Sequence, residues 1–309
     1  MNLIRGSINI ARIERPTIAT VGNFDGLHLG HQEIIRYVTD QARQNDLESV
    51  LVSFEPSPKE YFMGENAPAR IYSLRDRFTI TKSLGIHHFV CLRFNATLAN
   101  LQARDFIKKI LVDSLNIKNI VVGDDFRFGS DRRGDIRLLQ DIGSTLGFKV
   151  EDKSTVALAD IRVSSSLVRK HLASGKFEHA QTLLGRPYEI SGRVFHGDKK
   201  GRTIGFPTAN ISLNRRVPPI RGVFVVTAGN GKHTWQGVAN VGHRPTVKGI
   251  RDQLEVHLFD CEEELYRQRL TVKFLARLRD EQKFSSLDEL KHQISLDVQQ
   301  AKQYFVERT

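Results

Sequence analysis

The sequence predicts two domains: an N-terminal α/β domain built on a doubly wound parallel sheet, and a small C-terminal antiparallel β-barrel with a closing helix. From residue 17 to about 185, short apolar runs alternate with segments of 3.6-residue periodicity, as in strand–helix repeats. Beyond 186 the periodicity becomes two, without intervening helices. Gly185-Arg186-Pro187 separates the two patterns, so we predict domains at 1–185 and 186–309.

The elements of the first domain follow from its alternation. The apolar runs predict strands at Ile18–Val21, Val50–Phe54, Phe89–Leu92, Ile120–Val122 and Phe148–Val150. The periodic residues Ile34, Ile35, Val38 and Ala42 predict a helix whose first turn contains His28 and His31. Further helices are predicted at Leu74–Leu84, Ala103–Leu115, Asp135–Leu146, 164–173 and 177–184. Ligands of such sheets bind at the carboxyl ends of the strands, so the segments that follow the strands are the candidate site.

The second domain is predicted from short alternating runs. These predict strands at Tyr188–Phe195, Gly222–Ala228, Trp235–Val241 and Leu254–Phe259. Gly229-Asn230-Gly231 has the composition of a hairpin turn. Antiparallel strands without helices indicate a barrel, and the periodic segment from Leu287 to Phe305 predicts an amphipathic helix that closes it.

Composition restricts the class of protein. With 309 residues and 40% hydrophobic content, the chain can bury two cores or one large one. Cys91 and Cys261 are its only cysteines, so neither a disulfide framework nor a closely spaced cysteine zinc motif is expected. Arginines interrupt the apolar N-terminus as they would not in a signal peptide, and no run approaches membrane-spanning length. We therefore expect a cytoplasmic protein.

The chain is basic, with a formal net charge of +11. The densest basic stretch runs from Arg193 to Arg221, where Asp198 is the sole acidic residue. Such a stretch can bind a polyphosphate ligand or an RNA backbone, and it can also be merely a solvated face. Charge alone leaves these alternatives open.

A Gly- and His-rich segment follows the first predicted strand. Gly22, Gly26 and Gly30 allow close backbone approach to a ligand, and His28 and His31 fall at the start of the next helix, where anions are attracted. The pattern suits a nucleotide phosphate. Two histidines three residues apart can also bind metal, and a Gly-rich turn can be only a tight connection.

Three further segments in the first domain have candidate site residues. The run from Phe54 to Phe62 has two prolines and three aromatic residues, which suit either a flat slot or plain core. Gly123-Asp124-Asp125-Phe126-Arg127-Phe128-Gly129 follows another strand, where the acids can contact a ligand or hold a turn. Ser164, Ser165, Ser166 and Arg169 lie at a helix start and suit a triphosphate, although helix capping alone would explain one serine.

The barrel contains a second chemical segment, residues 197–210. Its glycines can fold backbone donors around phosphates, with basic side chains nearby, while Thr208 and Asn210 offer neutral oxygens two apart on one strand face. Oxygen ligands beside phosphate suit Mg²⁺, although composition alone favours a flexible basic loop. Glu255 alternates with apolar residues, so the pattern by itself favours a solvent-facing position.

Together these motifs resemble one family. His28-Leu29-Gly30-His31 resembles the HxGH signature of nucleotidyltransferases, and the string from Thr20 to Gln32 resembles that of the bacterial bifunctional riboflavin kinase/FMN adenylyltransferases, or FAD synthetases. Residues 123–129 are similar to the GxxFRFG motif and 164–169 to SSTxxR, while 197–210 resembles the flavokinase signature GxxxGxxxGFPTAN. The chain departs from the family pattern at Ser57, Ser166 and Arg267. The resemblance covers about residues 17 to 305.

The resemblance implies roles in the first domain. His28 and His31 are the implied catalytic residues of adenylyl transfer. Implied ATP contacts there are Gly22, Asn23, Phe24, Asp25, His28, Gly30, His31, Ser164, Ser165, Ser166 and Arg169. Implied flavin contacts are Phe54, Pro58, Phe62, Asp125, Phe126 and Phe128.

It also implies roles in the second domain. Glu255 becomes the base that accepts the proton of riboflavin's primary hydroxyl. Thr208 and Asn210 become ligands of Mg²⁺ bound with ATP. Implied ATP contacts of the kinase are Gly197, Lys199, Gly201, Arg202, Gly205, Pro207, Thr208 and Asn210.

The resemblance therefore implies an enzyme that makes FMN from riboflavin and ATP, then FAD and pyrophosphate from FMN and ATP. We expect only small-molecule partners, with no nucleic acid or membrane and at most weak self-association. Two rivals remain. The first is a different HxGH enzyme, such as another adenylyltransferase or a synthetase-like protein that holds RNA with its basic barrel, and the second is a non-catalytic flavin-binding or storage module. RNA affinity would fall steeply with salt, whereas a storage module would bind flavin without consuming ATP.

Overall fold

The computed structural model of the chain describes residues 1–123, 125–153, 157–158, 161–196, 205–213, 217–246 and 249–308. These form two compact units, Met1–Pro68 with Leu74–Ser165, and Ala69–Ser73 with Ser166–Thr309. The chain thus passes between units at Ser165, before the domain boundary predicted at Gly185. Whether 186–309 folds alone stays a prediction.

Among the described residues, a six-stranded parallel sheet forms the first unit. Its strands are β1 (Asn2–Gly6), β2 (Thr17–Val21), β3 (Glu48–Glu55), β4 (His88–Arg93), β5 (Ile117–Gly123) and β6 (Lys149–Lys153). Their order is β1-β4-β3-β2-β5-β6, and each neighbouring pair is parallel. The chain moves outward from β2 to β4 and then restarts at β5, so the topological switch point lies between β2 and β5.

The helices of the first unit cover both faces of this sheet. They are α1 (Leu29–Gln44), α2 (Pro58–Met63), α3 (Leu74–Ser83), α4 (Ala96–Ala99), α5 (Ala103–Asp105) and α6 (Ile136–Leu146), with π-helical turns at Phe106–Ser114. Alternate residues of β2 face opposite cores: Ile18 packs with Ile35 of α1, and Ala19 packs with Ile110. This two-sided burial confirms the predicted doubly wound fold.

Several features of this unit differ from the prediction, among them one helix and one strand. The helix predicted at Ala103–Leu115 is α-helical only at its start, and its end is wider, since the Leu115 N–H donates to the Ile110 oxygen at 2.9 Å. Strand β1 was not predicted. It is an edge strand that pairs with β4 and is only partly buried, so it lacks an apolar signal.

The second unit contains a closed barrel with the strand order β10-β13-β12-β11-β14-β9. Its strands are β9 (Glu189–Phe195), β10 (Ala209–Ser212), β11 (Gly222–Gly229), β12 (Thr234–Thr246), β13 (Gly249–Leu258) and β14 (Arg269–Arg279). A small pair, β7 (Ala157–Leu158) and β8 (Ile161–Arg162), precedes the barrel in the chain. The barrel confirms the predicted class. Strand β14 was not predicted, and β10 was expected only as the strand face shared by Thr208 and Asn210.

A long helix, α9 (Leu287–Val306), covers part of the barrel's outer face. Its Ala301 packs in one core cluster with Val223 and Val225 of β11. A buried ion pair adds to this attachment, because Arg279 donates to both carboxylate oxygens of Asp297 at 2.9 and 2.7 Å. The predicted closing helix is therefore confirmed.

Two helices before the barrel belong to its unit, α7 (Ser165–Ala173) and α8 (Phe177–Leu184). Phe177 is 5% exposed, and its ring centroid lies 5.7 Å from that of Phe224 and 5.9 Å from that of Phe274. Helix α8 thus contributes an aromatic side chain to a cluster that includes two barrel strands.

In the part of the chain that the structure describes, no helix combines the length and apolar character needed to cross a bilayer.

Candidate active sites

The first candidate site lies at the switch point of the parallel sheet. Residues 22–28 leave the carboxyl end of β2, and the segment from Gly123 leaves the adjacent β5. Glu55 ends the other neighbour, β3. Three of the motifs found in the sequence therefore meet at one edge of the sheet, where open α/β sheets bind ligands.

The backbone of residues 22–28 has an unusual conformation. Phe24 and Leu27 have φ of 47° and 43°, in the left-handed region that side chains other than glycine rarely adopt, and Gly26 has φ of 87°. Both side chains are buried, at 3% and 0% exposure, and this packing holds the conformation. The Gln32 side chain also donates to the Leu27 oxygen at 2.8 Å. Rigid loops with sparsely populated φ values are common where a ligand binds.

His28 and His31 are held together at the start of α1. His28 is the N-cap, and its Nδ1 accepts a hydrogen bond from the His31 backbone N–H at 3.4 Å. The two imidazole rings are stacked, with centroids 3.7 Å apart and planes 19° apart. Because Nδ1 accepts, the proton of neutral His28 lies on Nε2, which can donate to an anion. The helix N-terminus adds its positive dipole there.

Ser165 lies beside the same loop. Its hydroxyl donates to the Asp25 carbonyl oxygen at 2.7 Å, which joins the serine motif to the Gly- and His-rich segment. Ser164 directly precedes α7. Ser166 and Arg169 follow on that helix in the second unit, where Ser166 is exposed and Arg169 donates to the Ala69 oxygen.

The predicted flavin residues lie in two aromatic clusters of the first unit. Phe54 and Phe62 both contact Phe94 edge to face, at 5.9 and 5.8 Å between centroids. Phe62 is 68% exposed, an unusual position for so large an apolar side chain. Phe126 and Phe128 stack at 5.3 Å. One exposed aromatic face at a strand end is suited to a planar ligand.

Three neighbouring positions have clear structural roles. Pro58 is the first residue of α2, and Ser57 is its N-cap, joined with Glu60 in a reciprocal capping box. Ser57, where the chain departs from the family pattern, therefore stabilises the start of this helix. Asp125 is exposed and lies 3.6 Å from Arg162. Asp124 lies outside the described residues.

The second candidate site lies on the outer face of the barrel. Asn210 of β10 and Asn240 of β12 both lie directly opposite Glu255 on β13. Side chains opposite one another on paired strands share a face and lie close together. Asn210 is only 7% exposed and its Nδ2 donates to the Thr208 oxygen at 3.3 Å, which directs Oδ1 the other way.

Gln253 links the amide and the carboxylate of this site. Its Nε2 donates to Asn210 Oδ1 and also to Glu255 Oε1, the latter at 3.1 Å. Gln253 is 6% exposed, so its bond to Asn210 is shielded from water, while its bond to the half-buried Glu255 is partly shielded. Glu281 brings a further carboxylate, which lies against the backbone of Gly242, the partner of Gln253 across β12. Glu255 is therefore half-buried and hydrogen-bonded rather than simply solvated, contrary to the expectation from alternation alone.

The rest of the predicted kinase segment is only partly described. Gly197, Lys199, Gly201 and Arg202 lie outside the described residues. Gly205 has φ of 88°, and the Pro207 oxygen accepts a hydrogen bond from His257 Nδ1 at 2.9 Å. Within the described residues, no group of three or more His, Cys, Asp or Glu side chains could hold a metal ion.

Sequence reasoning missed two residues at these sites. Gln253 lies two positions before Glu255 on the same strand. The period of two therefore places both side chains on one face, and this signal could have identified Gln253. Arg77 of α3 is 3% exposed and donates to the Asn23 oxygen, Ser53 and Glu55. No local pattern marks it, because its partners come from distant parts of the chain.

Comparison with known proteins gives two family matches in sequence. Residues 10–167 match the family model described as FAD synthetase, and residues 184–305 match the one described as Riboflavin kinase. A solved crystal structure named Macrolide-efflux Protein, from Streptococcus pneumoniae, is 32% identical to this chain. Its TM-score is 0.76, over 93% of this chain and 94% of that one.

Full-length relatives agree with the family models. The chain is 45% identical over 306 residues to the Bifunctional riboflavin kinase/FMN adenylyltransferase of Haemophilus influenzae, which covers 99% of both proteins. The Escherichia coli K12 protein of that name is 44% identical, covering 99% of this chain and 98% of the relative. The Pseudomonas fluorescens protein is 46% identical, covering 98% and 97%. The chain therefore belongs to the family of bifunctional riboflavin kinase/FMN adenylyltransferases.

Proposed function

We propose that the chain phosphorylates riboflavin with ATP at the barrel site and then adenylylates FMN with a second ATP at the switch point of the parallel sheet. The observation with most weight is the pairing of Asn210 with Glu255 on adjacent strands, with Gln253 bonded to both. Transfer of a phosphoryl group to a hydroxyl requires an oxygen ligand for the metal and, beside it, a carboxylate that accepts the hydroxyl proton. An RNA-binding appendage has no need of this pair.

In the kinase step, the 5′-hydroxyl oxygen of riboflavin forms a bond to the γ-phosphorus of ATP while the bond to the ADP oxygen breaks. Glu255 accepts the hydroxyl proton. Its hydrogen bond from Gln253 limits the side chain's freedom, so that the carboxylate is held ready for the substrate. Positioning and charge stabilisation supply most of the catalysis of such reactions.

Mg²⁺ bound with ATP fits the donors on this strand. The Thr208 hydroxyl and Asn210 Oδ1 are hard, neutral oxygen atoms, the kind that Mg²⁺ prefers together with phosphate. We assign these two residues to the metal, which would neutralise charge on the nucleotide when bound. Family resemblance further assigns the phosphate contacts to Gly197, Lys199, Gly201, Arg202, Gly205 and Pro207.

In the adenylyl-transfer step, a phosphate oxygen of FMN attacks the α-phosphorus of ATP and pyrophosphate leaves. His28 and His31 stabilise the charge that develops on the phosphates, supported by the N-terminus of α1. No protein nucleophile is required. The exposed Phe62 and its aromatic neighbours face the flavin.

Further contacts in this step are assigned by resemblance. ATP would contact Gly22, Asn23, Phe24, Asp25, Gly30, Ser164, Ser165, Ser166 and Arg169. The flavin would contact Phe54, Pro58, Asp125, Phe126 and Phe128. We also propose a cytoplasmic location, where the thiols of Cys91 and Cys261, which form no disulfide, stay reduced.

Incubation of the protein with riboflavin, ATP and Mg²⁺, followed by chromatographic separation of the flavins, tests this function. We expect FMN to appear first and FAD after it, with no product when Mg²⁺ is omitted. Flavin binding without ATP turnover would instead identify a storage module. Tight, salt-sensitive RNA binding without flavin products would favour the RNA-holding alternative.

A further inference from the structure

Arg77 is a buried cation that lies outside every motif of the chain. It is on α3 and is 3% exposed, where a charged side chain is rarely found unless it is paired. Its Nη1 donates to the Asn23 carbonyl oxygen at 2.9 Å and to Ser53 Oγ at 2.8 Å, and its Nη2 donates to Glu55 Oε2 at 2.8 Å.

The partners of Arg77 belong to two separate substrate segments. Asn23 is in the loop that leads to His28, whereas Glu55 precedes the segment with Phe62. Strands β2 and β3 are paired only up to Val21 and Val52, and the Gly22 N–H makes the next bond, to the Val52 oxygen at 3.1 Å. Beyond that point, Arg77 and the Ser53 hydroxyl, 3.1 Å from the Asn23 oxygen, continue the connection.

The guanidinium group is well suited to this position. It is planar and presents several N–H donors in fixed directions, so one side chain can hold a carbonyl, a hydroxyl and a carboxylate at set distances. A lysine ammonium on a flexible stem would satisfy fewer of these partners at once. The Glu55 carboxylate compensates the buried charge and is itself 31% exposed, so it can be altered with less risk to the fold.

We propose that Arg77 is a positioning residue for adenylyl transfer, which fixes the nucleotide loop relative to the flavin-facing segment so that the two reacting phosphates meet in line. This inference rests on the proposed adenylyl-transfer function. A misplacement of about 1 Å between reactants can slow a reaction about 10²-fold. The alignment of the two substrates, rather than the affinity for either, is what Arg77 controls.

The test separates turnover from binding. In Arg77→Met, we expect kcat for FMN adenylylation to fall about 10²-fold, while the Kd of ATP and that of FMN, each measured alone, change by less than about threefold. Glu55→Gln breaks one connection and should give a smaller loss of the same kind. Arg77→Lys keeps the charge and should recover part of the activity. Arg75→Met on the exposed side of the same helix is the matched control and should resemble the wild type.

Other outcomes are equally informative. Normal kcat in Arg77→Met, or a loss that follows weakened binding of one substrate, overturns the inference. If Arg77→Met does not fold, Glu55→Gln and Arg77→Lys decide it by the same comparison of kcat with Kd. Riboflavin phosphorylation in each variant reports on the folding of the second unit. If the wild type makes no FAD, the underlying adenylyl-transfer function is refuted. If the wild type makes FAD and Arg77→Met makes it equally fast, only the role of Arg77 is refuted.

Discussion

A carboxylate on a barrel strand is either a solvated residue or a base, and the neighbours of Glu255 distinguish the two. It is half-buried, lies opposite Asn210 and accepts a hydrogen bond from Gln253. Glu255→Gln keeps the size of the side chain but removes the proton acceptor. We expect kcat for FMN formation to fall about 10²- to 10⁴-fold with riboflavin affinity largely retained, as measured by steady-state kinetics and flavin titration.

Two controls accompany this substitution. The same variant should convert FMN to FAD at the normal rate, because that step is assigned to the other unit. Its free energy of unfolding should change by about 0.5 kcal/mol or less if Glu255 has no structural role. Glu262→Gln is the same substitution at an exposed position, and we expect it to leave kcat for FMN formation unchanged. Near-normal kinase turnover in Glu255→Gln would remove Glu255 from the mechanism.

His31 supports the corresponding prediction for the first unit. Its ring is stacked on His28, and its backbone N–H is bound by the His28 ring, so its position is well defined. His31→Ala should lower FAD formation about 10²-fold or more, on the scale of losing one oriented donor, while FMN formation stays normal. Comparison of the two rates in one preparation is the measurement.

An equal loss of both activities in His31→Ala would indicate misfolding, not lost chemistry. Stoichiometric zinc binding by the wild type, abolished in the variant, would identify a metal site instead. The sequence predicted this pair of histidines and their place after β2, because both follow from local order. It did not predict Arg77, whose partners Asn23 and Glu55 lie far from it along the chain.

At the scale of elements, periodicity predicted the buried strands and missed the less buried ones. Strand β2 has every residue buried, and β3 and β4 are nearly as apolar, so their runs were clear. Strand β1 is a partly exposed edge and β10 has only four residues. Strand β14 alternates Leu270, Val272 and Phe274 with polar residues, and its basic composition obscured a real period of two.

Helices α7 and α8 permit a prediction about pH. The rings of His171 and His179 are stacked 5.2 Å apart, and burial, followed by repulsion from the charge on His179, lowers the pKa of His171 from its usual 6.5. The neutral form of His171 is thus favoured in the folded state. Its contribution to stability is full above pH 6.5 and is lost as the pH falls below that value and the unfolded chain takes up the proton.

NMR titration of the histidines measures this effect directly. We expect the pKa of His171 to lie below that of an exposed histidine, and His179→Gln to move it part of the way back, because burial remains the larger cause. An unshifted pKa of His171 in the wild type would contradict its burial beside His179.

For the whole molecule, the division of the chain is the feature least accessible to sequence. The predicted boundary at Gly185 followed a change of periodicity, and helices α7 and α8 have the period of the first domain. Packing nevertheless assigns them to the second unit. The two family models leave 168–183 between them, so they do not decide the matter. The hydrophobic period of a helix predicts which of its faces is buried. It does not predict which distant element packs against that face.

This assignment gives a prediction for isolated barrels. Because the sequence predicts a domain at 186–309, this fragment alone should fold and phosphorylate riboflavin without making FAD. It lacks Phe177, which packs with Phe224 and Phe274, and loss of such a side chain costs about 3–5 kcal/mol. We therefore expect 166–309 to be the more stable fragment and the better kinase, with Phe177→Ala in the full chain as the matched substitution.

Thermal unfolding and riboflavin phosphorylation of both fragments give the comparison. The fragment 166–309 still lacks Ala69–Ser73, where the Ile71 oxygen accepts a hydrogen bond from the Tyr188 hydroxyl at 3.3 Å, so its Tm should be below that of the second unit in the full chain. Equal stability and activity of 186–309 and 166–309 would show that α7 and α8 are dispensable and would support the predicted boundary at Gly185. Because both fragments lack the loop of His28 and His31, FAD formation by either would contradict the assignment of adenylyl transfer to the first unit.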